Sequence, residues 1–232
     1  GVKVVLARDL LKVNADLAAE NRRAFERQGV TVINLIGSPG AGKTTLLEKS
    51  LPFLTREAAV AVVEGDIATT RDAERIERLG VPVVQINTGG SCHLDAQMVA
   101  SAVAELPMTK LDLVLVENVG NLVCPAAFDL GEQAKVAVLS VTEGNDKPAK
   151  YPRVFREAAA VIITKADLIP HTDFDLAFCR SELAALGSQA QVFVTSAAKE
   201  QGFAEWAAWL LKVRRGWRGV PGHSLSSCRS QL

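Results

Sequence analysis

The sequence carries no charge bias. Lysine plus arginine and aspartate plus glutamate each number 26, so no global field draws the chain to nucleic acid or to an anionic membrane. Cysteine is scarce: four residues (Cys92, Cys124, Cys179 and Cys228) without framework spacing. A chain of 232 residues needs no disulfide staples, so these read as reduced thiols in a cytoplasmic protein. No apolar run reaches the eighteen or so residues that a membrane helix needs. The start, "GVKVVLARDLL", lacks the cationic and apolar succession of a signal peptide. Residue 1 is not methionine, so further sequence upstream is expected. Neither an internal repeat nor a linker divides the core.

What is present is ordinary globular material, 48% hydrophobic and 22% charged, enough for one large domain or two small ones. Residues 8–28 repeat apolar side chains at helical spacing and close on Gly29, which suits a helix end. Two patterns then alternate. Short β-branched runs stand at 31–36, 59–63, 81–86, 111–116, 135–141, 160–164 and 191–195. Stretches of helical character lie between most of them, at 42–54, 70–79, 93–105, 173–186 and 202–215. Strands apolar on both faces and separated by helices predict an α/β fold. Its sheet is mostly parallel and doubly wound, with helices on both faces. We expect a single domain over residues 1–216, with 1–29 as a helix packed on it. Residues 217–232, rich in Gly, Ser and Arg, read as a disordered tail.

The first strand runs into "GSPGAGKT", residues 37–44, which matches the phosphate loop G-x-x-x-x-G-K-[ST]. Gly37, Gly40 and Gly42 let the backbone curl around phosphate, and Ser38, Pro39, Ala41 and Thr45 complete the cradle. Lys43 reaches the outer phosphates, the Thr44 hydroxyl suits Mg²⁺, and the following helix turns its positive end to the same anion. "TKAD" (164–167) is similar to the guanine-reading N-K-x-D, with Thr164 where Asn is usual. Asp167 can accept both the N1–H and the exocyclic amine of guanine, while the Lys165 stem lies over the base. "TSAAK" (195–199) resembles the last guanine loop, placing Ser196 and Ala197 near the base. GTP and GDP are therefore the expected nucleotides. Mg²⁺ and water need carboxylates at the terminal phosphate. Asp66 in "VVEGD" is expected to order metal and water, and Glu117 in "LVENVG" to join the Mg²⁺ shell. Gly120 is expected to be the flexible point that senses γ-phosphate. With no arginine in these motifs, GTP hydrolysis is expected to be slow without a partner.

"NTGGSCHLD" (87–95) sets Cys92 beside His93, and Cys124 follows Glu117 by seven positions. Thiolate and imidazole suit Zn²⁺ or Ni²⁺. Buried packing of cysteine and a Cys–His nucleophile pair remain open on spacing alone. Three ligands do not close a metal site, so a second chain or water would have to complete it.

Together, GSPGAGKT, EGD, GGSCHLD, ENVGNLVCP, VTEGNDKPAKYP and TKAD resemble the hydrogenase nickel-incorporation GTPases, the HypB family, over roughly residues 8–215. The resemblance implies a SIMIBI-class P-loop GTPase that dimerises with nucleotide and helps deliver nickel to [NiFe]-hydrogenase. Another maturation factor and the hydrogenase large subunit are the implied partners. It implies that Cys92, His93 and Cys124 hold Ni²⁺ or Zn²⁺ at a two-fold interface, and that Lys147 acts with the nucleotide there. The segment "TTRDAER" (69–75) departs from the family's more acidic switch. Two rivals were weighed. A urease-type nickel GTPase carries Cys-Pro-His, whereas Cys92 and His93 are adjacent. A metal-binding chaperone that holds nucleotide without hydrolysing it would differ in turnover alone.

Overall fold

The computed structural model describes residues 7–66 and 70–218. Seven parallel strands form one sheet: β1 (Thr31–Gly37), β2 (Val60–Asp66), β3 (Val83–Asn87), β4 (Leu113–Glu117), β5 (Ala134–Ser140), β6 (Ala160–Thr164) and β7 (Gln191–Val194). Their order is β3-β2-β4-β1-β5-β6-β7, and every neighbouring pair is parallel. The doubly wound α/β expectation therefore holds. Nine α-helices connect the described strands: α1 (Ala7–Gln28), α2 (Lys43–Leu54), α3 (Arg71–Glu77), α4 (Ala96–Ala104), α5 (Cys124–Ala127), α6 (Lys147–Lys150), α7 (Pro152–Glu157), α8 (Leu176–Ala185) and α9 (Phe203–Arg218).

The side-chain alternation of β1 divides the core. Ile33 and Leu35 pack with Leu46, Leu47 and Leu51 of α2 and Trp206 and Leu210 of α9. Val32 faces the other way, onto Phe25 of α1 and Val99 of α4, and Ile36 joins Phe155 of α7 and Leu183 of α8. A period of two thus lets one strand serve both layers. Asn34 lies on the second of these faces by the same alternation. It is wholly buried, a polar residue in the central strand.

Boundaries shift where caps intervene. The helix expected over 93–105 starts at Ala96, because the Asp95 side chain accepts from Met98 N–H at 2.8 Å and caps it. That cap leaves Cys92 and His93 in the loop. Strand β3 starts after Pro82, which lacks an N–H to donate to the ladder although its carbonyl accepts from Val62 N–H at 2.9 Å. Helices α5 to α7 escaped the periodicity reading because they span only four to six residues. Helix α9 runs to Arg218, past the expected tail boundary; the remaining tail residues, and residues 1–6, lie outside the described ones. No helix among the described residues is long and apolar enough to cross a membrane.

Candidate functional site

The loops after β1, β2, β3 and β4 all open at the carboxyl edge of the sheet, where the strand order changes direction around β1. Open α/β sheets bind ligands there. The phosphate loop leaves β1 and enters α2 through Gly42, which sits at φ +92° as the helix N-cap. That left-handed backbone disfavours any side chain. Gly37 is required for a different reason from the expected curl: a Cβ there would lie 2.7 Å from the Val138 carbonyl oxygen.

Lys43 is 6% exposed, and its ammonium donates to the carbonyls of Gly37 at 3.1 Å and Ser38 at 3.2 Å. Burial lowers its pKa, while Glu117 and Glu64 oppose that shift. Thr44 Oγ1 donates to Glu117 Oε1 at 2.9 Å. With Asp66, these residues line a cavity of about 470 Å³ that also takes in Pro39, Gly40, Thr45 and Gly120. Asp66 ends β2, and its carbonyl accepts from Thr88 N–H at 3.0 Å.

Of the side chains of this cavity that were missed in the sequence, Asp72 and Asn118 among them, two stand out. Glu64 lies two positions before Asp66, 2% exposed, and its pKa is raised by burial and then by Glu117. Glu117 is raised as well, by its own burial. Glu64 Oε1 and Glu117 Oε2 are buried and receive no hydrogen bond. The two carboxyl groups hydrogen-bond each other and each keeps one oxygen without a partner, which with the Thr44 hydroxyl makes a hard-oxygen set that a divalent cation such as Mg²⁺ fits. The signal was the period of a strand, which turns Glu64 and Asp66 to the same side. Arg75 of α3 is the other. It lines the cavity while bonded to Glu48 at 2.5 and 3.0 Å, Asp72 at 3.2 Å and Thr45 at 3.2 Å. It closes the segment TTRDAER, where the sequence assigned it no role, and the fold brings it to the cavity.

A second, mostly apolar cavity of about 330 Å³ adjoins the first, with Leu46, Lys165, Asp167, Ala197 and Phe203 among its lining. Lys165 has φ +59°, and its ammonium donates to the Gly40 carbonyl at 2.7 Å. Ser196 Oγ donates to Asp167 Oδ1 at 2.6 Å; this bond holds the Asp167 carboxyl below its usual range. Ser196 orients Asp167 and does not itself line the cavity. Thr164, the departure from Asn, makes the brace its position calls for: Oγ1 donates to the Ala41 carbonyl at 2.6 Å. Lys147 lines neither cavity; its ammonium stands 5.4 Å from the centre of the Tyr151 ring.

Cys92, His93 and Cys124 come together although 31 positions separate His93 from Cys124. Their ligand atoms lie within 4.8 Å of one another. Cys92 Sγ is 3.8 Å from His93 Nδ1, and the imidazole stacks on Phe128 with centroids 3.8 Å apart. Burial lowers the His93 pKa, with Asp95 opposing, which favours the neutral ring that ligates metals. Cys124 is raised by its hydrogen bond to Cys92 and by burial. Cys92 is exposed, and Val123 beside the cluster is an exposed large apolar side chain.

The family model "CobW/HypB/UreG, nucleotide-binding domain" matches residues 31–194. The hydrogenase maturation factor HypB of Azotobacter vinelandii is 50% identical over 209 residues, covering 90% of this chain and 69% of that protein. The crystal structure of HypB from Helicobacter pylori in complex with nickel superposes with a TM-score of 0.84 at 38% identity, covering 91% of this chain and 99% of that one. The signal recognition particle receptor FtsY from Elizabethkingia anophelis shares the fold alone, at 19% identity and a TM-score of 0.54 over 84% of this chain and 72% of that one. Sequence and fold thus agree with the two neighbouring sites at one sheet edge, and the chain belongs to the HypB branch of the CobW/HypB/UreG nucleotide-binding family.

Proposed function

We propose that this chain is a GTP-hydrolysing metallochaperone that binds Ni²⁺ or Zn²⁺ and assists nickel insertion into [NiFe]-hydrogenase in the cytoplasm. Supporting this reading above all is one short segment, Glu117 to Cys124, which carries a carboxylate of the nucleotide cavity at one end and a thiol of the metal cluster at the other. A nickel complex is known for the related Helicobacter pylori protein.

The chain's residues divide the work. Phosphate-loop amides and the α2 N-terminus hold the phosphates. The Lys43 ammonium neutralises the outer phosphate oxygens, and Asp66 orders the attacking water. Thr44, Asp66 and Glu117 would hold Mg²⁺, with Glu64 beside them; bound there, the ion supplies charge neutralisation on the terminal phosphates. Asp167 selects guanine over adenine, because only guanine offers two N–H donors to one carboxylate. Cys92, His93 and Cys124 supply two thiols and an imidazole, a set matched to Ni²⁺ or Zn²⁺. A second copy of the chain completes the coordination, and the exposed Val123 beside the cluster gives that contact an apolar element. Lys147, outside both cavities, acts across the same dimer. A further maturation factor and the hydrogenase large subunit are the partners. Residues 1–216 form the working domain.

Nucleotide hydrolysis and nickel stoichiometry on one purified sample test the reading. GTP is turned over in preference to ATP, slowly and with Mg²⁺, and nickel stays bound through dialysis in the parent but not in a Cys92→Ala, His93→Ala double variant. Equal turnover of ATP, or nickel retained by the double variant, would overturn it.

A further inference from the structure

Asn118 follows Glu117 directly and is 1% exposed. Its amide oxygen accepts two backbone N–H groups, from Leu94 at 3.1 Å and from Val119 at 2.9 Å. Its amide nitrogen donates to Asn34 Oδ1 at 3.1 Å, and Asn34 Nδ2 donates in turn to Glu132 Oε1 at 3.3 Å. This order of donors fixes both amides. The two backbone N–H groups can only donate, so they require the Asn118 oxygen; Asn118 then presents its N–H to Asn34, which presents oxygen to Asn118 and N–H to Glu132. Asn34 is 0% exposed and Asn118 1%, so the amide pair is shielded from solvent.

Leu94 is the residue after His93, and Val119 is the residue before Gly120. One oxygen atom therefore joins the backbone of the metal loop to the backbone that leaves the nucleotide cavity. Asn118 itself borders that cavity. Leu94 and Val119 are buried, so either N–H would be left without a partner if it moved away from Asn118 alone. Nearer the surface, Asn121 repeats the connection more loosely. Its N–H donates to the Gly37 carbonyl at 3.0 Å, and its side chain donates to the Cys92 carbonyl at 3.4 Å.

We propose that Asn118 is the positioning residue through which nucleotide state reaches the metal ligands. A shift of the segment after Glu117 carries the Asn118 oxygen with it. Leu94 follows, and His93 moves against Cys92, which is outside this pair of bonds. The covalent path through Gly120 displaces Cys124, and beyond it the longer Asn121 bond, at 3.4 Å, reaches the Cys92 carbonyl rather than Leu94. This proposal rests on the function proposed above, that the edge cavity holds guanine nucleotide and the cluster holds nickel.

The test is nickel titration of the full chain at saturating GDP and at a saturating non-hydrolysable GTP analogue, with the thiolate-to-nickel absorption band recorded in each state. Saturation removes any change in nucleotide affinity from the comparison. In the parent the two nickel affinities differ by about fivefold or more, a typical coupling between sites, and the band differs between states. Asn118→Ala, which removes the shared oxygen, brings the affinities to within about twofold of each other and makes the two spectra coincide. Should the alanine variant fail to fold, Asn118→Ser is measured in its place with the same expected loss. A parent that binds neither nickel nor guanine nucleotide fails the functional reading, whereas one that binds nickel equally in both states overturns this proposal alone. A responsive parent whose alanine variant responds equally also overturns the proposal alone.

Discussion

The Thr44 hydroxyl donates to Glu117 Oε1 across 2.9 Å and so ties the first turn of α2 to the end of β4. The two residues stand 73 positions apart, and both were expected at one Mg²⁺; the parallel pairing of β1 with β4, which brings Leu35 level with Glu117, makes the contact. The phosphate loop and the carboxyl cluster thereby share one cavity, and the adjacent Lys43 carries its principal positive charge.

Lys43→Ala is expected to abolish GTP hydrolysis, with a loss of about a hundredfold or more, the scale seen when one charge-stabilising donor is removed. A phosphate-release assay reads it. Turnover at the parent rate would show that phosphate is bound elsewhere.

Asp167→Asn should weaken GTP binding by roughly tenfold to a hundredfold, the cost of leaving buried donors unmatched. Xanthosine triphosphate should gain, because the new amide can donate to the carbonyl that replaces the exocyclic amine. Competition among GTP, XTP and ATP measures both effects. An unchanged preference for GTP would remove Asp167 from base recognition.

Cys124→Ala should lower nickel affinity and change the nickel absorption band, since it deletes one of three ligands whose atoms lie within 4.8 Å of one another. Because linkage is reciprocal, nickel should also shift the parent's GTP affinity by the factor by which GTP shifts nickel affinity. Loss of nickel in the Cys92 and His93 variants, with none in Cys124→Ala, would make Cys124 a bystander.

Gly120→Ala is expected to destabilise the protein by roughly 1–3 kcal/mol, the usual cost of forcing extra atoms into a packed site. The new Cβ would lie 2.8 Å from Pro39 Cγ and 2.9 Å from Pro39 N, pushing the phosphate loop and the Glu117 segment apart. Urea denaturation gives the stability and GDP titration the loop. Parental values in both would show that the contact relaxes at no cost.

Glu132→Gln should flatten part of the stability profile in acid. Burial, then the nearby Asp129 charge, raises the Glu132 pKa from 4.5 to about 7, so folding favours the neutral form. Its stabilising contribution is complete below about pH 4.5 and is lost as pH rises through about 7. The span corresponds to at most about 3 kcal/mol. Gln remains neutral throughout, so the stability difference between parent and variant, from urea melts at pH 4.5 and 8, should change by an amount of that order. A constant difference would mean that Glu132 titrates alike in both states.

The sequence by itself determined the parts of this protein whose chemistry is local. A strand buried on both faces must be apolar at every position, so the runs at 31–36 and 160–164 announce a covered parallel sheet. A phosphate loop needs its glycines, lysine and threonine within eight consecutive residues, so GSPGAGKT is legible without a fold. The Cys92–His93 pair was visible for the same reason, but its meaning stayed open, because Cys124 joins it only when β3 and β4 end at one sheet edge. Glu64 and Arg75 stand inside quoted segments, EGD and TTRDAER, yet nothing there assigns them a role; burial gives Glu64 its character and the packing of α3 brings Arg75 to the cavity. The Leu94–Asn118–Asn34–Glu132 connection runs through two loops, the end of β4 and the middle of β1, and hydrogen bonds of that reach exist only after distant segments have packed. Thr164 is the clearest case. The sequence marked it as a departure from asparagine, and the tertiary structure supplied the reason it works: its hydroxyl lies 2.6 Å from the Ala41 carbonyl, near enough to brace the loop with a shorter side chain.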